Sequence, residues 1–432
     1  MATPRKNKLA LLGGSRTITH KIASHNPIGL KEQIAAYRVL RSGVLSKFLG
    51  TWSDDFFGGP RVLELEQLAA QTFNVKHAIS VNSWTSGLIT AIGAIGIEPG
   101  DEVVVTPWSM SASIASVLHW GGIPVFADID PNDFNISPEK IEEKISSRTR
   151  AILSADIFGK SANMKKLITI ADKYNLRIIS DTAQAPGSTS SGKFSGTIGH
   201  IGGISLNYHK HIHTGEGGIL FTNDDDLAFR MKMIRNHAES IVAGAEVQNI
   251  SNLIGFNFRL GELEAAIGIH QIKKLKKIIR NKQNRANELT KELSDLPGMT
   301  LPKIELNLEN VYYVYPIVIS PDVLHATRSR IVSALRAEGV PALSEGYQNL
   351  HLLPLFQQQV AFGTKGFPWN QVQDVKYDYS KGICPVAESY HDELFIGFGI
   401  TGLNLKRKDI RLIGKAFRKV WENLDELAEK GN

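Results

Sequence analysis

The stretch Ser205-Leu-Asn-Tyr-His-Lys-His-Ile-His-Thr-Gly-Glu-Gly-Gly218 sets one amine, Lys210, between a short apolar strand and a glycine turn. An ordinary lysine is protonated near neutral pH and does not attack carbon. Desolvation and neighbouring positive charge lower its pKa and free the lone pair. His209, His211 and His213 flank it and contribute if they are buried. Upstream, Ile178-Ile-Ser-Asp-Thr-Ala-Gln184 is an apolar run that ends on an acid, Asp181. An acid at a buried strand end is costly unless it is paired. Its structural alternative is an N-cap for the next segment. Gln184, one turn further on, can hydrogen-bond a ring oxygen or a lysine-linked nitrogen. A lysine that forms an imine and an acid that holds a ring nitrogen are the two groups pyridoxal 5′-phosphate (PLP) needs most.

A phosphate needs its own cradle. Ser83-Trp-Thr-Ser-Gly87 begins a helix after the strand Ala78-Ile-Ser-Val81. Backbone N–H groups and hydroxyls at a helix N-terminus bind phosphate, and Ser205 can add another hydroxyl. In an extended segment, the spacing His209-x-His211-x-His213 puts three imidazoles on one face. No carboxylate ligand pattern accompanies them, so packing near a cofactor is the expected role and no metal is expected.

The elements that must position these groups follow from periodicity. From about residue 60 to 235, strand-like and helix-like segments alternate. Helices are expected over Arg61–Asn74, Ser86–Ile97, Ser111–Trp120, Pro138–Ile145 and Met164–Tyr174. Strands are expected over Glu102–Thr106, Ile123–Ala127, Ala151–Ala155, Arg177–Ser180, Ile201–Leu206 and Gly218–Thr222. Strands that are apolar throughout indicate a mostly parallel sheet covered by helices on both faces, an α/β fold. Ligands of such sheets sit beyond the carboxyl ends of the strands, where Asp181 lies. The loop after Thr106 and the segment around Asp156 should open on the same side. A long helix, Gly261–Leu296, then leads to a smaller C-terminal α+β domain. Its expected elements are the strand Val311–Ile319, the helix Ser329–Glu338, the strand Glu393–Phe398 and the helix Lys408–Lys430. The expected division is 1–285 for an N-terminal arm with the large domain, and 286–432 for the small one.

Composition narrows the class. A chain of 432 residues with 42% hydrophobic and 21% charged residues can build a substantial core. The net charge of +6 is spread along the chain. Its densest group, Lys273 to Lys282, alternates with apolar residues at helical spacing and is expected to be a solvated helix face. No recognition motif accompanies the charge, so no nucleic-acid partner is expected. A single cysteine, Cys384, excludes a disulfide within the chain. The basic start, Met1 to Arg5, is followed by an apolar run too short for a signal peptide. No segment reaches the length that spans a bilayer. A soluble, cytoplasmic protein is expected.

Together these segments resemble the DegT/StrS-type sugar aminotransferases, a fold-type I PLP-dependent family, from about Gly13 to Leu427. The resemblance runs through the phosphate loop (Ser83 to Leu88), Thr106-Pro107, Asp128-Ile-Asp130 with Asn135-Ile-Ser137, Asp181-Thr-Ala-Gln-Ala-Pro-Gly187, Lys210 with Thr214-Gly-Glu-Gly-Gly218, and Gly255-Phe-Asn-Phe-Arg-Leu-Gly-Glu262. It implies a seven-stranded, mostly parallel sheet in the large domain. It implies Lys210 as the Schiff-base lysine, Asp181 as partner of the pyridine nitrogen, and Gln184 near the ring. Thr85, the Trp84 backbone and Ser205 match the phosphate cup. Asn257 matches an asparagine that reaches the phosphate from the neighbouring subunit, so the site would be shared within a homodimer. Arg259, Tyr313, Tyr347 and His351 fall where the family contacts substrate.

The chain departs from the family pattern at two places. Trp84 stands where the phosphate loop commonly has glycine. Met110 stands where an aromatic usually stacks on the cofactor, with Trp108 two residues earlier, and either is a candidate to cover the ring. Some relatives carry histidine at the position of Lys210 and act as dehydratases; lysine favours transamination. The implied donor is L-glutamate and the implied acceptor a keto-sugar, often nucleotide-linked. The opening Leu11-Leu-Gly-Gly-Ser15 resembles a branch with cyclitol and aminohydroxybenzoate enzymes, which leaves a keto-cyclitol open. A dehydratase of the same fold and a non-enzymatic regulator are the rival readings.

Overall fold

The computed structural model describes residues 7–303 and 309–428. The calls on Met1 to Arg5 and on Lys430 lie outside the described residues. After α1 (Leu30–Ser42), the large domain is laid down as α2 (Pro60–Phe73), β1 (His77–Val81), α3 (Trp84–Ala94), β2 (Glu102–Val105), α4 (Ala112–His119), β3 (Ile123–Phe126), α5 (Pro138–Glu142), β4 (Thr149–Ala155), α6 (Met164–Tyr174) and β5 (Arg177–Asp181). A two-residue hairpin follows, β6 (Thr189–Ser190) and β7 (Lys193–Phe194). Next come β8 (Ile201–Ser205), β9 (Gly218–Thr222), α7 (Asp225–Arg235) and α8 (Glu262–Leu293).

Seven strands form one sheet in the order β1-β9-β8-β5-β4-β2-β3. The pairs β3/β2, β2/β4, β4/β5 and β5/β8 are parallel, and β9 runs antiparallel to both its neighbours. All four residues of β2 and all five of β8 and β9 are buried. Strands covered on both faces have no polar side to alternate with, which explains their continuous apolar runs. The register Asp181↔Gly203 brings the ends of β5 and β8 level, and Ser205↔Gly218 closes the β8–β9 loop that carries Lys210. Asp181, Asp156 and Lys210 therefore share one edge, at the carboxyl ends of β5, β4 and β8.

The small domain pairs four antiparallel strands in the order β10 (Met299–Thr300), β11 (Tyr315–Ile319), β13 (Phe395–Phe398) and β12 (Leu343–Glu345). Around them lie α9 (Pro321–Leu324), α10 (Arg328–Glu338), α11 (Pro354–Gln357), α12 (Pro385–Ser389) and α13 (Arg407–Trp421). The division at residue 285 does not follow the two cores. Leu9, Ile18 and Ile22 pack with Ile317, Leu335 and Phe417 of the small domain, and Ala286, Leu289 and Leu293 bring the end of α8 into the same cluster. Leu350, Phe356, Trp369 and Cys384, from the late part of the chain, pack into the large-domain core.

Several expected boundaries shift for local reasons. The strand expected from Val311 begins only at Tyr315, because Tyr312 adopts φ 55° and breaks the extended run. The helix expected to reach Lys430 ends at Trp421 and passes into a 3-10 turn, Leu424–Glu426. Five helices, α1, α7, α9, α11 and α12, add to those expected. The signals for α7 are in the chain: Asp224 caps it by accepting from the Leu227 N–H at 3.0 Å, and Asp225 and Asp226 favour its first turn.

Candidate active site

The cavity at this edge is lined by Ser83, Trp84, Thr85, Ser109, Met110, Asp156, Asp181, Gln184, Ser205, Lys210 and Glu216, among others. Helix α3 starts at its mouth. Ser83 caps that helix, its hydroxyl accepting from the Ser86 N–H at 3.1 Å. Three groups that can meet a phosphate therefore converge there: the free N–H groups of the first turn, the Thr85 hydroxyl and the Ser205 hydroxyl.

Asp181 sits at the inner end, 7% exposed. Its Oδ1 accepts from the Trp84 indole Nε1 at 2.7 Å and from the Ala183 N–H at 3.1 Å, and its Oδ2 accepts from the Ser113 hydroxyl at 3.2 Å. Burial pushes its pKa up, while the Ala183 and Trp84 donors, the Lys210 charge and Ser113 pull it down. Lys210 faces it. Burial lowers the Lys210 amine from 10.5 to about 8, and the Asp181 carboxylate opposes that shift. The ammonium lies over the Tyr313 ring, 4.5 Å from its centroid. A depressed lysine opposite a buried acid in a cleft marks a candidate functional site.

Gln184 is held on both sides of its amide. Its Oε1 accepts from the Phe158 N–H at 3.0 Å, and its Nε2 donates to the Tyr347 hydroxyl at 3.1 Å. Tyr313 thus borders Lys210, and Tyr347 borders Gln184. Met110 lines the cavity and is 60% exposed.

Other expected positions lie elsewhere. Trp108 is fully buried, donates through its indole to Asn349 Oδ1 at 2.8 Å, and stacks on Phe134. It belongs to the aromatic core and does not line the cavity, where that loop presents Ser109 and Met110 instead. His351 is also fully buried, with Nε2 2.9 Å from Glu388 Oε1, so it is a packing residue sealed from substrate. Asn257 and Arg259 are absent from the cavity wall. The Asn257 Oδ1 accepts from the Arg259 Nε at 2.7 Å, and its carbonyl accepts from Asn82, next to the start of α3. The three imidazoles do not share a face, because the segment turns. Buried His211 meets the Val311 carbonyl at 3.0 Å, His213 accepts from the Gly215 N–H, and exposed His209 borders the cavity.

The sequence places the segment around Asp156 on this side of the sheet but gives that residue no role, and it marks neither Ser113 nor Glu216. Asp156 ends its strand as Asp181 ends the next, so a matching acid-after-strand pattern was available. It is fully buried, and burial with the neighbouring Asp181 charge pushes it up to about 7. Glu216 accepts from the Asn207 amide at 2.8 Å through both oxygens and braces the loop that presents Lys210. Only its place in the glycine turn hinted at it.

A buried acid, an opposed lysine and a helix N-terminus around one cavity match a known constellation. Residues 50–371 match the DegT/DnrJ/EryC1/StrS aminotransferase family. The chain belongs to that family. It is 30% identical to the spore coat polysaccharide biosynthesis protein SpsC of Bacillus subtilis, over 79% of this chain and 86% of the relative. It is 33% identical to the GDP-perosamine synthase of Caulobacter vibrioides, over 73% of this chain and 83% of the relative. Among solved structures it resembles Helicobacter pylori PseC, an aminotransferase involved in pseudoaminic acid biosynthesis, with a TM-score of 0.76 and 27% identity over 94% of this chain and all of that one (100%). The chain is thus a transaminase of a family that is PLP-dependent in general. Among the described residues, no helix is long and apolar enough to cross a membrane.

Proposed function

We propose that this aminotransferase uses PLP to move an amino group from L-glutamate to a keto-sugar, probed first with nucleotide-linked acceptors. The observation that carries the reading is the Lys210 amine in one cavity with the buried and multiply hydrogen-bonded Asp181. The residues fit the cofactor. The start of α3 with Thr85 and Ser205 would hold its phosphate, Asp181 its ring nitrogen, and Lys210 its aldehyde carbon. Bound there, PLP supplies a reactive aldehyde and an electron-withdrawing ring.

The chain's own groups do the rest. Asp181 would hold a proton on the ring nitrogen. The Lys210 amine, when free and uncharged, would take the proton from the donor Cα, and as the ammonium it would be the proton donor on the same face. Its low pKa lets the amine act as a base near neutral pH. Gln184, fixed by Phe158 and Tyr347, orients the ring edge. The sugar acceptor is supported by what the relatives are named for, a GDP-perosamine synthase and a spore coat polysaccharide biosynthesis protein.

The position of Asn257 and Arg259 outside this chain's own cavity wall supports a site shared within a homodimer. Exposed apolar side chains at Leu30, Tyr37, Leu40, Tyr208 and Ile254 offer surface for a second copy. The test is a half-reaction. The PLP-loaded protein is mixed with glutamate while cofactor absorbance and 2-oxoglutarate are followed, then keto-sugars and keto-cyclitols are added in turn. One equivalent of 2-oxoglutarate per site supports the reading. No oxo-acid from any amino acid would overturn it.

A further inference from the structure

Trp84 occupies a place where the phosphate loop requires only a backbone N–H, yet its side chain is 6% exposed and fully engaged. The ring turns inward from α3 into a slot bounded by Gly87 and Gly203, while Gly218 lies against the Trp84 backbone. A Cβ at Gly203 would lie 2.2 Å from a Trp84 ring carbon, and one at Gly87 would lie 2.8 Å from another. Glycines on α3 and β8 thus make room for the indole. The slot aims the only polar atom of that ring, Nε1, at Asp181 Oδ1, 2.7 Å away. Oδ1 also takes the Ala183 N–H, whereas Oδ2 has a single, longer contact, the Ser113 hydroxyl at 3.2 Å. Ser113 is itself linked to Ser109 at 2.8 Å. One carboxylate oxygen is therefore saturated by two fixed donors, and the other keeps capacity for a strong partner.

We propose that the Trp84 side chain is a positioning residue for Asp181. Its indole N–H fixes the carboxylate through Oδ1 so that Oδ2 remains for the protonated ring nitrogen of PLP. This inference rests on the proposed role of Asp181. A donor to a buried carboxylate stabilises its charged form. Losing the donor weakens the pairing with a pyridinium. A ring nitrogen held less firmly in its protonated state withdraws less charge from the lysine-linked nitrogen, whose pKa then rises.

The experiment compares wild type, Trp84→Phe, Asp181→Asn and the double variant as purified full-length protein. Two readouts are used: the dissociation constant of PLP, and the pH midpoint of the bound cofactor's visible absorbance. Trp84→Phe is expected to bind PLP roughly tenfold more weakly, as for loss of a hydrogen bond to a charged group, and to move the midpoint upward. In the Asp181→Asn background the same change should have little further effect, because its target is gone. A purely packing role would lower apoprotein stability and leave the midpoint in place, which overturns the proposal. So would equal, additive effects in both backgrounds. If Asp181→Asn itself changes neither readout, the cofactor reading of the site fails. If Asp181→Asn changes both and Trp84→Phe changes neither, only the inference about Trp84 fails. Where phenylalanine leaves a hole that disturbs folding, benzothienylalanine incorporated at position 84 keeps both rings, removes the N–H and answers the same question.

Discussion

The pKa of Lys210 is the quantity on which the chemistry turns, and it can be titrated in the apoprotein. Burial takes the amine from 10.5 to about 8. At neutral pH about 10% of it is then uncharged, against ~0.03% for an ordinary lysine, a gain of roughly 300-fold in free amine. Trace labelling of the apoprotein with acetic anhydride between about pH 6 and 11, read by mass spectrometry of the Lys210 peptide, gives the midpoint against exposed lysines as internal standards. The expected midpoint is about 8. Asp181→Asn should lower it further, because the carboxylate raises this amine. The same shift has a stability signature. Between about 8 and 10.5 the unfolded chain binds a proton that the folded chain does not, so this group makes the apoprotein more stable as pH rises through that window. It costs the fold on the order of 3 kcal/mol at lower pH. A Lys210 midpoint equal to that of exposed lysines, or one raised by Asp181→Asn, would refute the placement of the two groups.

Two further outcomes concern the frame around the site. The Arg235 guanidinium is fully buried and lies 2.6 Å from Glu66, which also accepts from the Ser80 N–H. Glu66→Gln leaves that charge uncompensated and should cost about 3–5 kcal/mol, seen as a lower urea midpoint at unchanged slope. His351→Ala should lower the thermal midpoint by breaking the contact with Glu388, and leave KM for donor and acceptor unchanged; a raised KM would return His351 to the substrate pocket.

The parts of the site that were legible lie within single strand–loop units. Lys210 and Asp181 each follow an apolar run, and the chain direction alone puts them at one sheet edge once the strands are parallel. Ser83 to Thr85 are legible for the same reason, since a cap and a helix start are local. What stayed hidden depends on approach across the chain. Tyr347 reaches Gln184 only because the small-domain segment folds back over the large one, and the fate of His351 was set by Glu388, with which it has no local relation. Trp108 was misplaced because an aromatic in a ligand loop and an aromatic in a core look alike in one dimension. The difference here is Asn349, which supplies the indole with a buried acceptor.

The same logic explains why Trp84 looked anomalous in the chain and does not in the fold. A bulky residue in a phosphate loop reads as an obstruction if only the phosphate is considered. The ring in fact leaves the helix terminus clear and occupies volume vacated by Gly203 on the adjacent strand. A substitution in the loop and a glycine in the sheet are therefore two halves of one feature. Gly203→Ala should be about as damaging as loss of the tryptophan, because the Trp84 ring and the Ile219 carbonyl of β9 leave the added methyl no room. The cavity that results has donors and the positive end of α3 at one side and buried carboxylates at the other. That polarity suits a ligand with a phosphate at one end and a cationic nitrogen at the other, and Lys210 stands between them.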